Sequence, residues 1–103
     1  MMRLVKIVNS LIANDTEYIF TKAEDGVYTS VVSVGNFQLL IELVYDESDE
    51  LVLISGTLAL GNENIHTHTY VGDTYEQVFY ALINLYIKAN NVVKKINEFS
   101  EWK

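Results

Sequence analysis

Between Asp73 and Trp102 the apolar residues Val78, Leu82, Leu85, Ala89, Val92, Ile96 and Phe99 recur at alternating steps of four and three. That spacing places all seven on one stripe of an α-helix. The opposite stripe, Gln77, Asn84, Lys88, Asn91, Lys95 and Glu98, is polar. Asp73 followed three residues later by Glu76 has the spacing of a capping box, which supplies acceptors to the orphan amides of a first turn. Lys88, Lys94, Lys95 and Lys103 fall towards the other end, where the helix dipole favours cations. A helix this long and this sided needs a broad apolar surface to lie on, and the preceding residues have to provide it.

They do so with a different period. Residues 3–13 still place Leu4, Val5, Val8, Leu11 and Ile12 at helical spacing, predicting a short amphipathic helix that ends near Asn14. From Glu17 the period becomes two. Glu17–Ala23 is rich in strand formers, and Asp25-Gly26 is the strongest hairpin dipeptide of the chain. Val27–Val34 follows, then the turn Gly35-Asn36. Phe37, Leu39, Ile41, Leu43 and Tyr45 next alternate with Gln38, Leu40, Glu42 and Val44. Asp46 to Asp49 reads as a turn, Leu51–Leu60 as a strand with a bulge at Gly56, Gly61–Asn64 as a turn and Ile65–Val71 as a fifth strand. With no proline and no linker-like segment, the whole of 1–103 reads as a single domain. The expected fold is α+β: a short N-terminal helix, a five-stranded antiparallel meander, and a long C-terminal helix packed on one face of the sheet.

Relative lengths add a constraint. A helix of about 27 residues is roughly 40 Å long, whereas strands of eight to ten residues span about 26–34 Å. The helix should outrun the sheet, leaving Ile96, Phe99 and Trp102 in need of cover, from the N-terminal helix or from a second subunit. Further up, Tyr80, Ile83 and Ile87 extend the apolar surface beyond what one sheet face can bury. A homodimer whose interface includes Tyr80, Ile83, Ile87, Phe99 and Trp102 is therefore expected.

The formal charge is −7, unevenly spread: three basic and twelve acidic side chains precede Ile87, and four basic and two acidic follow from it. Such a balance repels nucleic acid and anionic lipid, so neither direct nucleic-acid binding nor membrane association is expected. No apolar run approaches the roughly 20 residues of a membrane span. Lys6 and Asn9 interrupt any signal-peptide core near the start, and a cytoplasmic location is expected. The absence of cysteine excludes disulfides, thiolate metal sites and a cysteine nucleophile.

Two places could carry function. His66-Thr67-His68 on a strand puts both imidazoles on one face, a spacing that can ligate zinc or iron. A third ligand would have to be a carboxylate such as Glu63 or Asp73, and the alternative is a pair of solvated or partner-facing imidazoles on an edge strand. Phosphate-binding glycine loops, a nucleophile elbow and a calcium-loop spacing are all absent from the sequence. No catalytic residues and no cofactor are expected, and the chain reads as a non-enzyme. The second place depends on the meander. Successive turns fall at alternate ends of the sheet, so Glu24, Asp25, Asp46, Glu47, Asp49, Glu50, Asp73 and Glu76 gather at one end, with Lys22 nearby. Acids in turns are commonly solubilising. Here they can also form a pole that meets a partner protein with a basic surface, such as a nucleic-acid groove.

The element order resembles that of helix-grip proteins, in which a curled antiparallel sheet embraces a long C-terminal helix. That resemblance implies a module binding small apolar ligands. A secretion or assembly chaperone is a further alternative. The reading favoured by the acidic, cysteine-free, motif-poor sequence is a small interaction protein. Chains of this kind are common among phage and archaeal-virus proteins that inhibit host defence, as some anti-CRISPR proteins do by occupying basic channels. In that case the host cytoplasm is its location.

Overall fold

The computed structural model describes Lys6, Val8, Asn9, residues 20–46, Ser48 and residues 50–101. Five strands follow one another in a meander, β1 (Thr21–Glu24), β2 (Val27–Val34), β3 (Phe37–Asp46), β4 (Leu51–Leu60) and β5 (Glu63–Gly72), and the chain then enters one long helix, α1 (Tyr75–Glu101). The sheet order is β1-β2-β3-β4-β5, antiparallel throughout. The α+β fold and the antiparallel sheet are thus as expected. Most of the helix expected over residues 3–13 lies outside the described residues. Of it, Lys6, Val8 and Asn9 are described as helical, and Val8 is buried in the main core.

Alternation fixes which side of the sheet is inside. Phe37, Leu39, Ile41 and Leu43 of β3 are buried while Gln38, Leu40 and Glu42 between them are exposed. Register carries that face across the sheet, since Leu39 pairs with Leu58 and Leu43 with Ile54. Two of the hairpins turn on Gly35-Asn36 and Gly61-Asn62, each with the glycine at positive φ (61° and 62°). Glycine in the first central position is the requirement of a type II′ turn, whose twist suits the flanking strands. Three boundaries differ from expectation. Strand β1 is only four residues long, β5 begins at Glu63, and the irregularity in β4–β5 pairing lies at Leu58/Ala59, not at Gly56. Gly56 pairs regularly with Ile41 and His68. Its lack of a side chain serves the helix, as shown next.

Three glycines trace the path of α1 over the sheet. A Cβ on Gly72 would lie 3.0 Å from Gln77 Cβ, one on Gly56 would lie 2.8 Å from Leu85 Cδ2, and one on Gly35 would lie 3.6 Å from Val93 Cγ1. The helix therefore leaves the end of β5, crosses β4 at its middle, and reaches the β2–β3 turn at Val93. Val78, Leu82, Leu85 and Ala89 are buried as the spacing predicts, but Val93 is buried where Val92 is only half-buried. The sequence stripe has a period of 3.5, so it drifts by about 20° per heptad on a straight helix. By the third heptad the neighbouring residue has rotated onto the sheet. Beyond Val93 the sheet ends: Ile96 is half-buried and Phe99 is 74% exposed. The expected overrun is present.

The cap of α1 is displaced by one residue from the sequence expectation. Thr74 Oγ1 accepts from the Gln77 amide at 3.2 Å, and Gln77 Oε1 accepts from the Asp73 amide at 2.7 Å. Thr74 is the cap in place of Asp73, because Tyr75 is the first helical residue and Gln77 the third, and the Gln77 side chain reaches back one residue further, to the Asp73 amide. The last turn holds no basic residue, so Lys94 and Lys95 lie outside the turn where the dipole acts.

Among the described residues one polar side chain is buried on the inner face. Ser30 pairs with Ile41, is 4% exposed, and its Oγ has no hydrogen-bond partner among the described residues. A buried hydroxyl without a partner costs about 1–3 kcal/mol, so Ser30→Ala should raise the unfolding free energy by about 1 kcal/mol. Urea denaturation measures this directly, and a loss of stability would mean that the hydroxyl is satisfied after all.

Candidate functional site

The register brings the turns of one end of the sheet together. The Tyr45 amide donates to the Gly26 carbonyl at 3.0 Å, tying the β1–β2 turn to the end of β3. Asp46 pairs with Leu51, and Val52 pairs with Gly72. Glu24, Asp25, Asp46, Glu50, Asp73 and Glu76 therefore share this end, Asp46 and Asp73 partly buried and the others exposed. Glu47 and Asp49 lie outside the described residues. Locally, Asp46 Oδ1 accepts from the Ser48 amide at 3.0 Å, and Glu50 adopts a positive φ of 53° to bring the chain back into β4. Lys22 Nζ lies 3.1 Å from Asp25 Oδ1 on exposed side chains, a contact worth at most about 1 kcal/mol. Lys88, Lys94 and Lys95 follow along α1 towards the opposite end, where Glu98 and Glu101 come after them.

The histidine pair lies on the edge strand β5, His66 exposed and His68 half-buried. Residues His66, His68 and Tyr70 pair with Leu58, Gly56 and Ile54, which places them on the helix side of β5. The two imidazoles meet edge to face at 4.3 Å, His68 stands 6.2 Å from the Tyr70 ring, and Lys88 Nζ lies 5.5 Å above Tyr70. Loss of solvent at His68, then the positive charges of Lys88 and His66, hold its pKa below the ordinary imidazole value. Glu63 and Asp73, the carboxylates that could have completed a metal site, lie at opposite ends of β5. Among the described residues no group of three or more His, Cys, Asp or Glu comes together to hold a metal ion.

Between sheet and helix, Leu85 fills the space over Gly56. The cavity beside it, rimmed by His66, His68 and Lys88, measures about 10 Å³. That is room for about one water. An apolar ligand of the kind implied by the helix-grip resemblance would have to displace packed core there.

On the helix, Tyr80 and Ile87 are 65% and 50% exposed, Ile83 is half-buried and Phe99 projects past the sheet. Trp102 lies outside the described residues. These positions do not form one patch: Tyr80 and Ile87 occupy the back of α1, whereas Phe99 continues the inward stripe.

A surface that the strand-by-strand reading passed over is the other face of the sheet. Across β2 to β5 its rows are Val31–Leu40–Thr57–Thr67, Thr29–Glu42–Ser55–Thr69 and Val27–Val44–Leu53–Val71. Glu42 is the one ionisable side chain among them. It sits in an open concavity of about 440 Å³ lined by Thr29, Val31, Leu40, Ser55 and Thr57. The signal was in the sequence, in the residues that alternate with the buried set, but it shows only once the register aligns four strands.

No known family model, curated protein or solved structure matches the chain. Among the described residues no helix is long and apolar enough to cross a membrane.

Proposed function

We propose that the chain is a non-enzymatic interaction protein whose acidic end meets the basic surface of a partner protein. The observation that supports this is the convergence of six carboxylates from two hairpin turns and the start of α1 at one end of the meander. A concentrated field of one sign raises association rates and selects partners of opposite sign. A protein whose own task is to grip nucleic acid offers the most extended basic surface. In this reading the chain competes with nucleic acid for that groove, as an inhibitor of host defence carried by a phage or virus would.

The test offers the chain to a panel of nucleases and RNA-guided effector subunits, with their grooves empty or filled by their own nucleic acid. Capture by an empty groove alone is expected, weakening steeply as salt shortens the Debye length from roughly 10 Å at 0.1 M. Reversing Glu24, Asp25 and Glu76 to lysine should weaken it on the order of 100-fold, with the circular dichroism spectrum unchanged. Equal binding by the reversed variant would remove the acidic end from the function.

A further inference from the structure

We propose that a second copy of this chain packs on the open face of the sheet, joining two sheets back to back with a helix on each outer side. This lies beyond the acidic end and uses none of its residues, so either proposal can fail alone.

Charge is the first argument. At −7 per chain two copies repel one another over most approaches, yet the three central rows of this face carry Glu42 as their single ionisable group. Depletion of charge at the centre of a surface is the compositional mark of an interface core. The apolar side chains left in water there are large fractions of residues: Val31 is 57% exposed, Val71 55%, Leu40 40% and Leu53 36%.

Area is the second. Four strands of eight to ten residues, spaced about 4.8 Å apart with about 3.3 Å per residue, present a flat footprint of roughly 600 Å². Side-chain relief raises the accessible area above the footprint, towards the roughly 800 Å² that each partner of a standard complex buries. The back of α1, with Tyr80 and Ile87 interrupted by Asn84 and Asn91, offers a narrow ridge by comparison.

Shape is the third. Two copies of one twisted sheet have the same twist, and such sheets pack aligned at about 30° with their side chains interdigitated. Val8, of the chain's own N-terminal residues, belongs to the core cluster on the helix side, away from this face. In the dimer Glu42 loses water, with Thr29 and Ser55 as its cross-strand neighbours. It remains the least favourable residue of the interface, and its neutralisation should strengthen the pairing.

Sedimentation velocity over a micromolar concentration series tests the proposal. The wild-type chain should be a dimer. Leu40→Lys and Val31→Lys, exposed positions on different strands, should each weaken it at least about tenfold with an unchanged melting temperature of the monomer. Glu42→Gln should tighten the dimer, and Ile87→Lys should leave it unaltered. A wild-type monomer throughout the series overturns the proposal, as does a dimer that survives both lysine substitutions. A dimer broken by Ile87→Lys but not by Leu40→Lys or Val31→Lys overturns it in favour of the helix surface.

Discussion

Leu82→Ala should cost the fold about 3 kcal/mol. Leu82 is fully buried at the centre of α1, in the cluster that joins the helix to Leu43 of β3 and Ile54 of β4, which are themselves fully buried. Truncating its isobutyl group to a methyl loses the transfer free energy of three carbons and leaves a cavity. The surroundings cannot collapse into that cavity, because a rigid sheet lies on one side and a continuous helix on the other. A chain of this length has about 5–15 kcal/mol in total, so the loss is a large share of its stability. Thermal melting should report a Tm lowered by roughly 15 °C. Ile87→Ala, on the same helix but 50% exposed, removes a similar side chain from water-facing surface and should change stability by less than about 0.5 kcal/mol. Similar losses at the two positions would mean that α1 is not seated on the sheet through Leu82.

How much of this fold is legible in the sequence follows from what each signal measures. The period-two run from Phe37 to Tyr45 and the period-3.5 run from Val78 identify β3 and α1 because burial of one face acts on every residue of the element. The turns at Gly35-Asn36 and Gly61-Asn62 were legible because their backbone demands glycine. The meander order then followed from short connections, and with it the grouping of Glu24, Asp25, Asp46, Glu50, Asp73 and Glu76. Other features depend on distances that no single segment contains. Gly56 reads as a bulge along its strand, and only the approach of Leu85 reveals its use. The orientation of His66 and His68 towards the helix depends on the irregularity at Leu58/Ala59, because a shift of one residue exchanges the faces of a strand. Thr74 displaced Asp73 as the cap because the choice depends on which residue first becomes helical. The uncharged face around Glu42 emerges only when four strands are set side by side.

Gly56→Val should destabilise the chain by about 3 kcal/mol, near the upper end of ordinary overpacking. Any Cβ at Gly56 meets Leu85 Cδ2 at 2.8 Å, Cδ1 at 3.0 Å and Cγ at 3.2 Å. A lone methyl could be met by a rotation of Leu85, which would offset part of the gain from replacing a flexible glycine in a strand. Two further carbons leave no such escape, because Leu85 is 2% exposed and the cavity beside it measures only about 10 Å³. The alternative to rotation is to lift α1, and that would open the contacts of Leu82 and Ala89 along with it. The contact can be separated from any backbone effect by a double-mutant cycle. In a Leu85→Ala background the offending carbons are gone, so the added valine should fill the space and cost less than about 1 kcal/mol, giving a coupling of roughly 2 kcal/mol. Urea denaturation of the four proteins measures it. Additive losses would place the cost in the backbone of β4. Strong coupling would establish that a glycine in mid-strand is what lets this helix lie close enough to the sheet to close the core.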